Sequence, residues 1–268
     1  MNEPKARTTR RDILKCSAAG AAITLGASVC SENIAGAQTV KNPGNKAFYK
    51  ADGSFDPTAA KKTYLDMLKT MGFPIPDSLT TDQLWVCDFL QGDFEKLGMG
   101  GIFWINANGT YGQSGSKNYG GKFKDGNFGY LGHEIFLLPG QMLPEHHHIG
   151  GPEQYPTYGP KMEAWLVRYG SVDFFGEYKD SEEKPISQMP RHERPWGHGE
   201  EWFKSRYVAS RTAKEGKVYT MADPESWHFQ RAGKNGAIVT EFATFHNHVS
   251  FSKPGMAFDN TKGKEKAE

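Results

Sequence analysis

Three histidines in a row, His146, His147 and His148, stand near the middle of the 268-residue chain. What they can do depends on which of them share a face. Residues 143–148 follow an apolar run at 136–138 and the turn former Gly140, a pattern that predicts a strand. Side chains alternate along a strand, so His146 and His148 point one way and His147 the other. Two neutral imidazoles on one face are half of a first-row metal site, able to serve Zn, Mn, Fe, Ni or Cu alike. The competing reading is a solvated histidine tract.

The next apolar stretch, 162–169, supplies a carboxylate. Glu163 shares a face with Trp165 and Val167, while Met162, Ala164 and Leu166 take the other. A carboxylate among large apolar side chains needs a partner, because burying it unpaired costs several kcal/mol. A metal ion is such a partner. His228 follows the Pro224 turn in a short aromatic strand and is the candidate fourth ligand. The expected centre is His146, His148, Glu163 and His228, with further positions open to water or substrate.

The elements that must position these groups read mainly as strands. Residues 101–105, 128–131, 134–138, 143–148, 162–169, 172–175, 217–221, 227–230, 237–243 and 248–251 are short apolar runs punctuated by Gly, Asn and Pro. About ten strands with no strong helix between them indicate an all-β sandwich or barrel, and a jelly-roll barrel encloses a pocket. Ahead of them, 41–55 reads as a linker, Asp56-Pro57 starts a helix that runs to about Thr70, and a second helix is expected from Thr80 or Thr81. Residues 178–210, charged and proline-rich, read as a rim loop or lid, and the chain after Met256 as a loose tail. Trp165, Trp227 and Phe229 are expected in the core, with a sugar-stacking role for one of them as the alternative.

Composition bounds the partners. A net charge of +1 with 24% charged residues gives no global case for nucleic acid or membrane binding, and 37% apolar residues suffice for one sizeable domain. Residues 1–37 read as a twin-arginine export signal: Arg10-Arg11, a small-residue apolar stretch at 16–30, and Ala35-Gly36-Ala37 before the cut. Cleavage leaves Cys87 as the sole cysteine, so no intrachain disulfide forms in the oxidising compartment that the signal implies, and no stable membrane insertion remains. The expected layout is signal 1–37, linker and helical extension 38–100, β-barrel 101–256 and tail 257–268.

Gly140, His146-x-His148, Glu163 and Gly170 together resemble the first metal-binding motif of the cupins, and 224–228 looks like a reduced second motif that supplies the last histidine. The gap between His148 and Glu163 is wider than that family uses, and Glu153 lies nearer the ordinary spacing. Glu153, however, sits between Pro152 and Pro156, whereas Glu163 is on strand-like sequence with the expected gap to Gly170. A closer resemblance runs over most of the chain. Residues 92–98, Asn106 to Gly109, Pro144 to His148, Lys161-Met162-Glu163, Arg168, Gly170 and Thr240-Glu241 look like the cupin-type D-lyxose isomerases. That resemblance implies a cupin barrel and interconversion of aldoses and ketoses. It also implies a manganese-like divalent ion on His146, His148, Glu163 and His228, with Zn or Fe as alternatives. Lys161 becomes a substrate-contacting or acid/base residue and Glu241 the proton-transfer carboxylate. Two departures stand against the family: Asn247 where an acidic residue is usual, and the bulky insertion before Lys161.

The chemistry so implied moves a carbonyl between C1 and C2 of a sugar through an enediolate, which needs a Lewis acid and a carboxylate base. A structural salt bridge to Arg168 or Lys161 is the other reading of Glu241, and a solvated charge the other reading of Lys161. The same ligand set also suits a metal-dependent oxygenase or a noncatalytic carbohydrate-binding cupin. Pairing into a homodimer is an expectation from the fold alone.

Overall fold

A computed structural model of the chain describes residues 39–76, 79–107, 130–148, 160–176, 184–185, 207–244 and 249–258. The expected export signal, Glu153, Asn247 and most of 178–210 lie outside the described residues.

Helix α1 (Pro57–Thr70) starts where Asp56 accepts hydrogen bonds from the backbone N–H groups of Thr58 and Ala59 at 3.0 and 3.1 Å, with Pro57 at a position that needs no donor. Its buried stripe is Ala60, Tyr64, Met67 and Leu68. The stripe packs with Ile102, Phe136 and Ile238 from the sheet. Gly100 permits this approach, since a Cβ there would come within 2.5 Å of the Tyr64 ring. The Tyr64 hydroxyl donates to Gln141, whose buried amide also binds the Leu138 N–H and the Phe94 carbonyl. One buried side chain thus ties the helix to the turn that precedes the histidines.

Two expectations for this region are corrected. Residues 41–55 are packed rather than a linker: Phe48 is fully buried, and Asn42 and Asn45 bond to Glu95 and Asp93. Their asparagines satisfy backbone and carboxylate groups, so polarity here reflects local hydrogen bonding. The second helix is absent too. Thr81–Gln83 is one 3-10 turn, and Phe89 and Leu90 hold φ of 54° and 61°, a conformation no right-handed helix contains.

The strands are β1 (Trp85–Cys87), β2 (Met99–Ala107), β3 (Tyr130–Leu137), β4 (Met142–His148), β5 (Glu163–Gly176), β6 (Lys184–Pro185), β7 (Tyr207–Thr212), β8 (Val218–Thr220), β9 (His228–Ala243) and β10 (Val249–Phe251). Three pairs of expected strands are each continuous, as β3, β5 and β9. Within the expected loop 178–210, the described residues give β6 and the start of β7, which extend the sheet beyond β5.

All pairings between these strands are antiparallel, and β5 and β9 run side by side along nearly their full lengths. Each contributes to two leaves. The first halves of β5 and the second half of β9 lie with β1, β2, β3 and β8; the remaining halves lie with β4, β10, β7 and β6. The crossover occurs at bulges after Val167 and Gly170. Gly170 has φ 72°, and a Cβ there would collide with the Gly236 carbonyl, so only glycine fits.

The leaves enclose a core that includes Ile135, Leu143, Trp165, Val172, Phe174, Tyr219 and Val239. This is the all-β, strongly curled antiparallel sheet with a helical extension that the pattern of short strands implies. Beyond the barrel, Phe258 is not part of a loose end. It packs against Phe89 and Phe251 at ring distances of 5.4 and 5.1 Å.

Candidate metal centre

Alternation along β4 places His146 and His148 inward and His147 outward, where it stacks on Trp227 at 3.9 Å. His146 pairs in register with His228, the first residue of β9, and their rings lie 4.2 Å apart. Glu163, the first residue of β5, arrives from the opposite leaf, with Oε1 3.2 Å from His148 Nε2 and Oε2 2.9 Å from His228 Nε2. One ligand atom from each of His146, His148, Glu163 and His228 falls within 4.8 Å of every other, and all four residues are buried. Glu153 lies outside the described residues.

The ring orientations fit a metal. His146 Nδ1 is 2.9 Å from the Pro144 carbonyl, and His228 Nδ1 is 2.9 Å from the Ser226 carbonyl. A carbonyl only accepts, so each Nδ1 carries the proton and each Nε2 presents a lone pair, the arrangement that metal-ligating histidines adopt. Burial drives His146 well below its ordinary value, with His228 and His148 adding to the shift, and burial likewise lowers His148 against the pull of Glu163. For Glu163, burial alone would raise the carboxyl, but His148 and Lys161 outweigh it and hold it well below the usual carboxylate range. Three imidazoles and one ionised carboxylate are a donor set for a first-row divalent ion.

Lys161 and Glu241 adjoin this set. The Lys161 ammonium lies between Glu163 Oε1 and Glu241 Oε1, ion-paired to both, and its side chain is only 3% exposed. The solvated-charge reading of Lys161 therefore does not hold. Desolvation would lower its ammonium, yet the charges of Glu163 and Glu241 prevail and raise it. The ion-pair reading of Glu241 is realised with Lys161, and the partner itself belongs to the cluster. Two carboxylates against one ammonium leave one net negative charge, which a divalent cation turns into one net positive charge, suited to an anionic intermediate.

No sequence motif marks a role for His133, Trp85 or Gln230. His133 on β3 is 3% exposed and places Nδ1 2.9 Å from Glu241 Oε2. Trp85 donates its indole N–H to His133 Nε2 at 3.1 Å. Gln230 shares the inward face of β9 with His228, is fully buried, and neither amide atom has a hydrogen-bond partner among the described residues. The readable signal was positional: His133 alternates with Leu131 and Ile135, and Gln230 with His228, on core faces where a polar residue calls for explanation. Of the aromatics expected in the core, Trp165 and Phe229 are buried there, while Trp227 is half-buried.

No family model matches the sequence. Over 171 residues, 63% of this chain and 75% of the relative, it is 27% identical to the D-lyxose/D-mannose isomerase of Thermosediminibacter oceani. Among solved structures, the L-ribose isomerase of Acinetobacter sp. DL28 in complex with L-ribose superposes with a TM-score of 0.52 at 13% identity, covering 78% of this chain and 95% of that one. The L-ribose isomerase of Cellulomonas parahominis with L-psicose gives 0.51 at 12% identity over the same shares. At these identities the structural likeness speaks for the fold.

Proposed function

We propose that the chain is a divalent-metal-dependent aldose–ketose isomerase that acts on a sugar of the lyxose, mannose or ribose kind. The observation that carries the reading is the continuity between the four ligands and the Lys161–Glu241 pair. A metal site for binding alone has no use for a buried carboxylate and ammonium beside it, whereas proton transfer next to a carbonyl needs such groups. The names of the sequence relative and of the structural neighbours support the substrate class.

In this mechanism His146, His148, Glu163 and His228 hold the ion, which when bound supplies Lewis-acid stabilisation of charge on the sugar oxygens. Glu241 takes the proton from C2 and returns it to C1. Lys161, an ammonium between two carboxylates, keeps Glu241 placed and offers a donor to the developing oxyanion. Trp165, with its ring 5.6 Å from that of His228, walls the site and helps exclude water. Manganese is the proposed ion, and export by the twin-arginine route would let the protein be loaded before it crosses the membrane.

The test is incubation of purified protein, with manganese and after chelation, with D-lyxose, D-mannose and L-ribose, following ketose formation by NMR. Interconversion that depends on the metal is expected. Protein carrying one ion per chain that converts none of these sugars would remove the proposal. Substrate-dependent oxygen uptake with bound iron would instead favour the oxygenase reading, for which the Lys161–Glu241 pair has no evident use.

A further inference from the structure

His133 is a buried titratable group to which the proposed mechanism gives no part. An indole N–H can only donate, so the 3.1 Å contact from Trp85 requires the lone pair of His133 to be on Nε2 and its proton on Nδ1. The proton on Nδ1 then points at Glu241 Oε2, 2.9 Å away. We propose that Trp85 and His133 form a tautomer lock on Glu241, in which the indole occupies the only lone pair of the imidazole, so that His133 always donates to the carboxylate and never accepts a proton from it.

Several independent features build this arrangement. Phe103, His133, Glu241 and Trp165 are successive cross-strand neighbours on β2, β3, β9 and β5, so the sheet register sets the contact. Phe103 lies flat on the His133 ring at 4.2 Å and 8°, which fixes the ring plane. Gly101, paired with Trp85 across β1 and β2, leaves the space through which the hydrogen bond passes. A Cβ there would collide with His133 Nε2 and come within 3.1 Å of Trp85 Nε1. Burial also lowers the imidazole from its ordinary value, against the pull of Glu241, which keeps it from taking a second proton.

The catalytic consequence rests on the isomerase reading; the lock itself does not. In the forward step the proton on C2 passes to the Glu241 carboxylate. The electron pair it leaves forms the C1–C2 double bond, and the carbonyl oxygen takes the negative charge. In the return step Glu241 delivers a proton to C1, the hydroxyl proton on O2 moves to O1, and the carbonyl re-forms at C2. Between the two steps Glu241 is a neutral acid, and a histidine with a vacant lone pair facing it would drain the proton to bulk. With Nε2 held by Trp85, the Nε2–H tautomer is excluded, so the hydrogen removed from C2 is the hydrogen that reaches C1. Trp85 and His133 are thus positioning residues that act through Glu241.

Two measurements on the full chain test this. The first is imidazole ¹⁵N NMR, with the His133 signals assigned by their loss in His133→Asn. Protonated Nδ1 and bare Nε2 are expected, and a proton on Nε2 overturns the lock whether or not any sugar is turned over. The second is isomerisation by the manganese-loaded protein in D₂O. Little solvent deuterium at C1 of the ketose is expected for the parent, and a several-fold rise for Trp85→Phe and for Gly101→Ala at unchanged metal content. His133→Asn, which keeps a donor near the Nδ1 position, should retain low incorporation. Equal incorporation in the parent and Trp85→Phe overturns the lock, as does full incorporation in the parent.

Discussion

His228 Nε2 lies 2.9 Å from Glu163 Oε2, while the ring's own proton is committed to the Ser226 carbonyl. Two acceptors therefore meet, a contact that only a cation or a shared proton makes favourable. Because a bound ion stabilises only the folded chain, Mn²⁺ should raise the melting temperature. The gain is about 2.7 kcal/mol at a hundredfold excess over Kd. His228→Ala should abolish the shift, so thermal unfolding of both proteins with manganese and with chelator checks the assignment. A variant that melts with the parent's metal-dependent increment would show that the ion binds elsewhere.

Replacing Lys161 removes the ammonium that lies between two buried carboxylates. Lys161→Met should cost about 3–5 kcal/mol, since Glu163 and Glu241 are left facing each other at low dielectric. Manganese should recover part of this loss by neutralising Glu163, while isomerase activity stays at background. Denaturant unfolding with and without the ion measures both effects. Lys161→Arg is not expected to restore activity, because a planar guanidinium does not fit a point-charge site closed on both sides.

His133 gives a pH dependence with a definite sign. Burial lowers its folded value from 6.5. Within the window between that lowered value and 6.5, the unfolded chain binds a proton that the folded ring refuses. Stability therefore falls as pH drops below about 6.5, and this one ring contributes a slope of up to ~1.4 kcal/mol per pH unit. His133→Asn deletes the titration, so its unfolding free energy should decline less steeply between neutral and mildly acidic pH. Parallel slopes for the two proteins would contradict the buried, neutral ring.

How much of this was written in the sequence differs residue by residue. The face shared by His146 and His148, and the need of Glu163 for a cation, follow from strand periodicity, which is local. Lys161 and Glu241 entered through resemblance to a family, and the packing that makes them neighbours joins residues far apart in the chain. The contact between Trp85 and His133 was not legible, because it depends on register across three strands, which no local pattern encodes. The second helix failed because Leu84 and Trp85 are spaced as well for a buried strand edge as for a helix face, and the positive φ at Phe89 and Leu90 decides between them. The long strands β5 and β9 were read in halves because their crossover segments, around Gly170 and at 231–236, carry the glycines and charges that usually mark a turn.

Gln230 is expected to be costly to the fold. Its amide is fully buried on the inward face of β9, and both of its polar atoms lack a hydrogen-bond partner among the described residues. A buried group left unsatisfied costs about 1–3 kcal/mol. Gln230→Met, similar in shape and without the amide, should stabilise the protein by a comparable amount, measured by urea unfolding. A simultaneous rise in KM would identify the amide as a substrate contact, a trade of stability for function.

Gly170 links the fold to the site. The bulges around it turn β5 from one leaf to the other, so that Glu163 at the start of β5 faces His228 at the start of β9 from across the barrel. Gly170→Ala combines a left-handed backbone position with a collision against the Gly236 carbonyl. The backbone conformation alone costs about 1–2 kcal/mol, and relieving the collision must shift β5 against β9. A metal site requires its ligand atoms to stay within a few tenths of an ångström of their places. Manganese affinity measured by calorimetry should therefore weaken at least tenfold in Gly170→Ala although none of the four proposed ligands is altered. Gly216→Ala serves as the control, since its φ is 61° but nothing lies within 4 Å of an added Cβ. It should lower stability by a similar backbone increment and leave the affinity intact. Matching losses of affinity in both variants would mean that general destabilisation, rather than the crossover of β5, sets the metal geometry.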